Sequence, residues 1–184
     1  MKATFHLLAL ACLWMPVPAL SYSQAPALLH EMFQDHAVLQ RDEPIPVWGE
    51  SAAGDRITVS LAESRVETRA DAGGHWHALL PAMKAGGPHT LEVRAQSGRM
   101  QAVADIFVGD VFLCSGQSNM ELPVARSLSA EAEIAAATHD TLRLLSIAHD
   151  NAASPLNHFL SPVAWIAASP ETVANFSAAC YYFA

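Results

Sequence analysis

The residues best suited to chemistry lie together in Leu113-Cys114-Ser115-Gly116-Gln117-Ser118-Asn119-Met120-Glu121. This polar, glycine-containing stretch directly follows an apolar run, Ile106-Phe107-Val108-Gly109-Asp110-Val111-Phe112-Leu113, that reads as a strand. Open α/β sheets present their reactive groups at the carboxyl ends of strands. A serine hydroxyl attacks a carbonyl only when a base takes its proton and donors hold the oxyanion that forms. Ser118 is the candidate nucleophile, and its own amide is a candidate oxyanion donor. Gly116 allows close backbone approach, and Gln117 and Asn119 shape the loop. The spacing is not that of the Gly-x-Ser-x-Gly elbow. Gly116 stands two residues before the serine, but Met120 stands two after it, where the elbow has glycine. By spacing alone the stretch is also what a plain polar turn looks like.

The elements around it follow from composition and period. Ser129 to Thr138 is alanine-rich, with Glu131 and Glu133 early, which predicts a helix whose first turn suits acidic side chains. Leu142 to Ile147 reads as a strand, Pro155 and Pro162 mark an irregular loop, and Trp165-Ile166 is a short strand. Ser169-Pro170-Glu171 starts a helix over Thr172 to Phe183. Strand, helix, strand, helix is the opening of an α/β domain.

Upstream, from about Ala27 to Ala104, the pattern is all β. Arg56 to Leu61 alternates polar and apolar. Short strands are also predicted at His36 to Gln40, Val47-Trp48, Val66 to Thr68, His75 to Leu79 and Thr90 to Val93. Glycine-bearing turns separate them. Such strands predict a sandwich or jelly-roll-like module. The expected organisation is a leader over 1–25, the β module over 26–104 and the first part of a hydrolase domain over 105–184.

Lys2, the apolar Leu7 to Trp14 and the small residues that follow have the form of a secretion signal, which predicts a secreted or periplasmic protein. The apolar stretch is too short to span a bilayer, and none beyond it is long enough. The chain carries 10 basic and 18 acidic side chains, a net charge of −8, so it offers no electrostatic case for nucleic acid or an anionic membrane.

Cys12 leaves with the leader, and Cys114 reads as a buried small hydrophobe. A Cys114–Cys180 bridge is a question of geometry. His75 and His77 share a strand face, but no third ligand at a metal-binding spacing accompanies them, so no metal is expected. His139 and His149 flank the strand at Leu142; either is a stand-in base, and each reads first as a surface residue. Trp48 and Trp76 read as module core, an exposed sugar platform being the alternative.

Gly109 to Val124 resembles the nucleophile block of the sialate O-acetylesterase family, within the SGNH (GDSL-like) hydrolases. Met32 to Arg41, Pro46 to Gly49, Gly74 to Trp76 and Ala85 to His89 resemble that family's upstream blocks, and Trp165 and Phe176 to Ala184 its downstream ones. Separated blocks in the right order make the resemblance specific. It implies an SGNH hydrolase domain behind the β module, with Ser118 as nucleophile toward acetyl esters on sialic acid or a related sugar, through an acetyl-enzyme and without cofactor or metal. Another carbohydrate acetylesterase, acting for example on xylan, and a non-catalytic or sugar-binding chain are the rival readings.

The family's catalytic histidine lies in an Asp-x-x-His block, and no aspartate of this sequence is followed three residues later by histidine. The chain therefore reads as the N-terminal portion of an esterase, its site completed by a C-terminal remainder or a companion chain. The part after Asp105 is expected to be poorly stable alone, since a partial α/β sheet leaves an open edge.

Overall fold

The computed structural model describes residues 27–184, so the leader expected over 1–25 lies outside the described residues. Seven strands come first: β1 (Val38–Gln40), β2 (Ile45–Glu50), β3 (Arg56–Leu61), β4 (Ser64–Arg69), β5 (His75–Leu80), β6 (Gly86–Ala95) and β7 (Met100–Gly109). β1, β7, β6, β3 and β4 form one sheet in that order, and β2 pairs with β5 in a second. All of these pairs are antiparallel except β1 with β7, which is parallel.

The alternation of apolar side chains sends one face of each sheet inward. Ile57, Val59 and Leu61 of β3 and Leu91 and Val93 of β6 are fully buried, and Val47, Trp76 and Leu80 close the same core from the smaller sheet. The structure is mostly sheet, as the sequence predicts, and the inner faces of the two sheets share one apolar core. Residues 28–30 run along β2: His30 N–H donates to Trp48 O and Glu50 N–H to Leu28 O. Leu28 O also accepts the indole N–H of the buried Trp76, at 3.1 Å. A Cβ at position 49 would lie 1.8 Å from that carbonyl, so only glycine lets the two backbones approach.

The sheet continues past Asp105, and the strand expected to run from Ile106 to Leu113 ends instead at Gly109. Ile106 and Val108 pair with β6, and Phe107 to Gly109 pair with β1, whereas no described strand lies beside residues 110–117 to form a ladder. Without a neighbour to take up its backbone groups, the stretch runs as irregular chain.

The second part holds α1 (Ala130–Ala136), β8 (His139–Leu145), β9 (Trp165–Ala168), α2 (Pro170–Val173) and α3 (Ala178–Tyr181). Helix and strand alternate as expected, but β8 pairs antiparallel with β9, and no described strand pairs with β8 in parallel. The helix expected over Thr172 to Phe183 is broken in two. Ala174 O and Phe176 O accept from Ala125 N–H and Val124 N–H, which diverts them from a helical ladder, and Ser177 then caps α3 by accepting from Cys180 N–H. Val124, Ala137, Leu144, Ala168, Val173, Ala178 and Tyr181 form this part's own small core.

The two parts are joined through Asp105. Its carboxylate accepts from His36 Nδ1 at 2.6 Å and from the Arg143 guanidinium at 2.8 Å. The Arg143 side chain is only 6% exposed and lies over the Phe107 ring at 5.0 Å. Trp165 adds an indole hydrogen bond to Met32 O at 3.0 Å.

Candidate active site

Ser118 opens a 3-10 turn, Ser118–Glu121, and is exposed. Met120 N–H donates to Gln117 O at 2.8 Å, which closes the turn. Among the described residues the Ser118 hydroxyl has no hydrogen-bond partner, and no backbone bond outside the turn uses the Ser118 or Asn119 amide. Gln117 precedes the turn in extended backbone, and the Asn119 side chain is exposed. A Cβ at Gly116 would stand 2.7 Å from Met120 Cγ, so the glycine is what lets the methionine fold back beneath the loop.

The turn is held from both sides by chain distant in sequence. On its near side, Gln40 accepts from Val111 N–H at 2.9 Å and Arg41 Nε donates to Asp110 at 2.9 Å. That contact with Asp110 holds the Arg41 guanidinium more firmly protonated than usual. Phe112 meets Phe183 edge-on at 5.0 Å between centroids. Cys114 is bridged to Cys180, with 5.9 Å between their Cα atoms, so the expectation of a buried small hydrophobe gives way to a half-buried disulfide. On the far side, Pro123 faces Ser177 in an isolated bridge, and Ala178 N–H donates to Leu122 O at 2.8 Å. Burial, with the Glu133 carboxylate nearby, pushes the Tyr181 hydroxyl up.

The histidines separate. His149 Nδ1 lies 2.9 Å from Glu121 Oε1, at the end of the serine's own turn, and its side chain is 82% exposed. His139 begins β8 opposite Ala168 and is exposed. Neither hydrogen-bonds the Ser118 hydroxyl. His75 and His77 do share the outer face of β5, and no cluster of three metal-ligating side chains occurs among the described residues. Sequence reasoning missed the Glu121–His149 pair, because nothing in the spacing of two residues 28 apart announces a contact across irregular chain.

This framework has a counterpart among solved structures. The crystal structure of a carbohydrate acetylesterase from Xanthomonas citri is similar over 87% of this chain and 36% of its own, with a TM-score of 0.82 and 39% identity. No family model matches the sequence. Two curated relatives named sialate O-acetylesterase, from Homo sapiens and Pongo abelii, are each 30% identical over 158 residues, which is 74% of this chain and 29% of theirs. The mouse relative of that name is 31% identical over 124 residues, 61% of this chain and 23% of its own. Fold and sequence alike thus resemble those of the carbohydrate acetylesterase. The chain belongs to a sialate O-acetylesterase-like family, and it spans less than a third of the length of these curated relatives.

Proposed function

We propose that this chain carries the nucleophile segment of a serine esterase that removes acetyl groups from sugar hydroxyls, with Ser118 as the attacking residue at the opening of an SGNH-type hydrolase domain over 105–184. The observation that carries the proposal is the exposed Ser118 hydroxyl at the mouth of a turn braced by the Cys114–Cys180 bridge, in a chain of this family. Among the described residues, the Ser118 and Asn119 amides have no backbone partner, and they sit beside the hydroxyl, where an oxyanion would need donors. Gly116, Gln117 and Asn119 support the loop. Attack of Oγ on the acetyl carbonyl forms the acetyl-enzyme and releases the sugar hydroxyl; water then releases acetate and restores the serine.

The base is the missing partner. No Asp-x-x-His block occurs in the 184 residues, and the site is read as completed by a C-terminal remainder or a companion chain. A secreted or periplasmic location fits the bridge, since disulfides persist in oxidising compartments.

The resemblance names sialic acid as the sugar, and xylan-type polysaccharide is the alternative. Acetate release from O-acetylated sialic acid and from acetylated xylan, by protein expressed from its own locus, separates them. Faster release from the sialic acid supports the first, and faster release from xylan supports the second. Residues 26–184 alone are expected to hydrolyse p-nitrophenyl acetate no faster than their Ser118→Ala form, and a clear serine-dependent rate would show that a base within the chain had been overlooked.

A further inference from the structure

A groove of about 800 Å³ lies on the β module, lined by the outer faces of β2 and β5 and walled by residues 156–159. No residue of the serine turn lines it. From the groove and its side chains we infer a second site, one that binds neutral saccharide chains. The choice of ligand class rests on the carbohydrate reading above, but the site does not depend on Ser118.

The wall is a built feature. Met32 N–H donates to His30 Nδ1 at 3.1 Å, so that nitrogen is an acceptor and the proton sits on Nε2, which donates to Asn157 O at 2.9 Å. Phe159 N–H donates to Glu31, and the Phe159 ring meets His30 at 5.8 Å. The floor is the outward row of the small sheet. Trp48 faces His77 across the strands, and Glu50 faces His75. Trp48 is half-buried, its ring held by His30 at 5.4 Å and Phe33 at 4.7 Å.

These groups suit a polyol. The accessible indole surface packs against the apolar face of a pyranose. Glu50 accepts from hydroxyls, and its one ion pair among the described residues, with His75, is a long one of 3.7 Å. His77 is exposed, and its ring can donate or accept. Charge selects within the sugars. The lining contains Glu31, Glu50 and Asp71 and no lysine or arginine. An anionic sugar acid or a phosphate would meet three carboxylates with no fixed cation to answer it, so the fitting saccharide carries no negative charge, a condition that neutral sugar chains meet.

The test is calorimetric titration of the full chain with xylohexaose as the neutral probe and with colominic acid, an oligomeric sialic acid, as the anionic one. Xylohexaose is expected to bind, and colominic acid is not. Xylohexaose carries no acetyl group, so its binding is read without turnover, and failure here is distinct from failure of the esterase reading. Glu50→Gln and His77→Ala, both on exposed positions, should each weaken binding about tenfold. Trp48→Ala should abolish it, and because Trp48 also packs on the core, the two exposed variants decide the test. No binding of xylohexaose by folded protein, equal binding of colominic acid, or affinities unmoved in both Glu50→Gln and His77→Ala would each overturn the proposal.

Discussion

At the scale of single residues, small steric and electrostatic facts decide what the serine turn can be. Gly116 is the clearest. Because a Cβ there would stand 2.7 Å from Met120 Cγ, Gly116→Ala must displace the methionine or the loop. Esterase activity of the native protein is expected to fall in Gly116→Ala and to recover in part when Met120→Ala is added. Additive losses in the double-mutant cycle would mean that the two positions do not meet. Asp55 makes a residue-scale prediction of the β module. It accepts from the Ser97 and Ser51 hydroxyls, at 2.6 and 2.8 Å, and from the Ser97 amide. These bonds, Ser97's first, hold its carboxyl below the usual aspartate range. The unfolded chain therefore binds the proton at higher pH than the folded one. The stabilisation is complete above the ordinary aspartate pKa and is lost as pH falls through the lowered folded value. Asp55→Asn should cost about 1 kcal/mol at pH 7. Melting curves should show that difference narrowing below about pH 4.

At the scale of elements, the serine turn depends on the segment from α2 to the C-terminal side of α3. The disulfide closes a separation of 66 residues, for which loop entropy gives a stabilisation of about 4 kcal/mol. Cys180→Ser is expected to lower stability by about 2–4 kcal/mol and to loosen residues 110–121 first. Hydrogen exchange would register this as lost protection of the Val124 and Ala178 amides, with β3 and β6 unchanged. Equal loss throughout the molecule would place the bridge's effect in global stability instead. The legibility of the sequence divides along the same line. Strands that bury one face, such as β3 and β5, announce themselves by alternation, because inward and outward positions differ in chemistry. The length of the apolar run from Ile106 to Leu113 is misleading, because a strand needs a neighbour as well as side chains, and no described strand lies beside residues 110–117. The broken helix after Pro170 fails for a related reason: two of its carbonyls are taken by Val124 and Ala125, more than forty residues earlier. Ser118 and Gly116 are legible as a motif. The bridge that braces them is not, because cysteine spacing does not reveal Cα separation.

At the scale of the whole molecule, two cores of unequal size are joined through Asp105, Arg143 and Trp165. The β module buries the inward faces of its strands in one shared core. The second part leaves Leu113 88% exposed, Leu128 93% and Phe183 66%, clustered in sequence around the serine turn and its brace. These exposed side chains are available to a further segment, as the proposed completion of the site requires. Their exposure agrees with the proposal that another segment brings the base. The central claim is that Ser118 performs the attack. It is tested most directly by acetate release from an O-acetylated saccharide, measured for protein expressed from its own locus with Ser118 or with Ser118→Ala. A nucleophilic Ser118 predicts a loss of about a thousandfold or more in the variant, with its fold intact. Equal rates would contradict that role and would leave the serine loop as a structural turn.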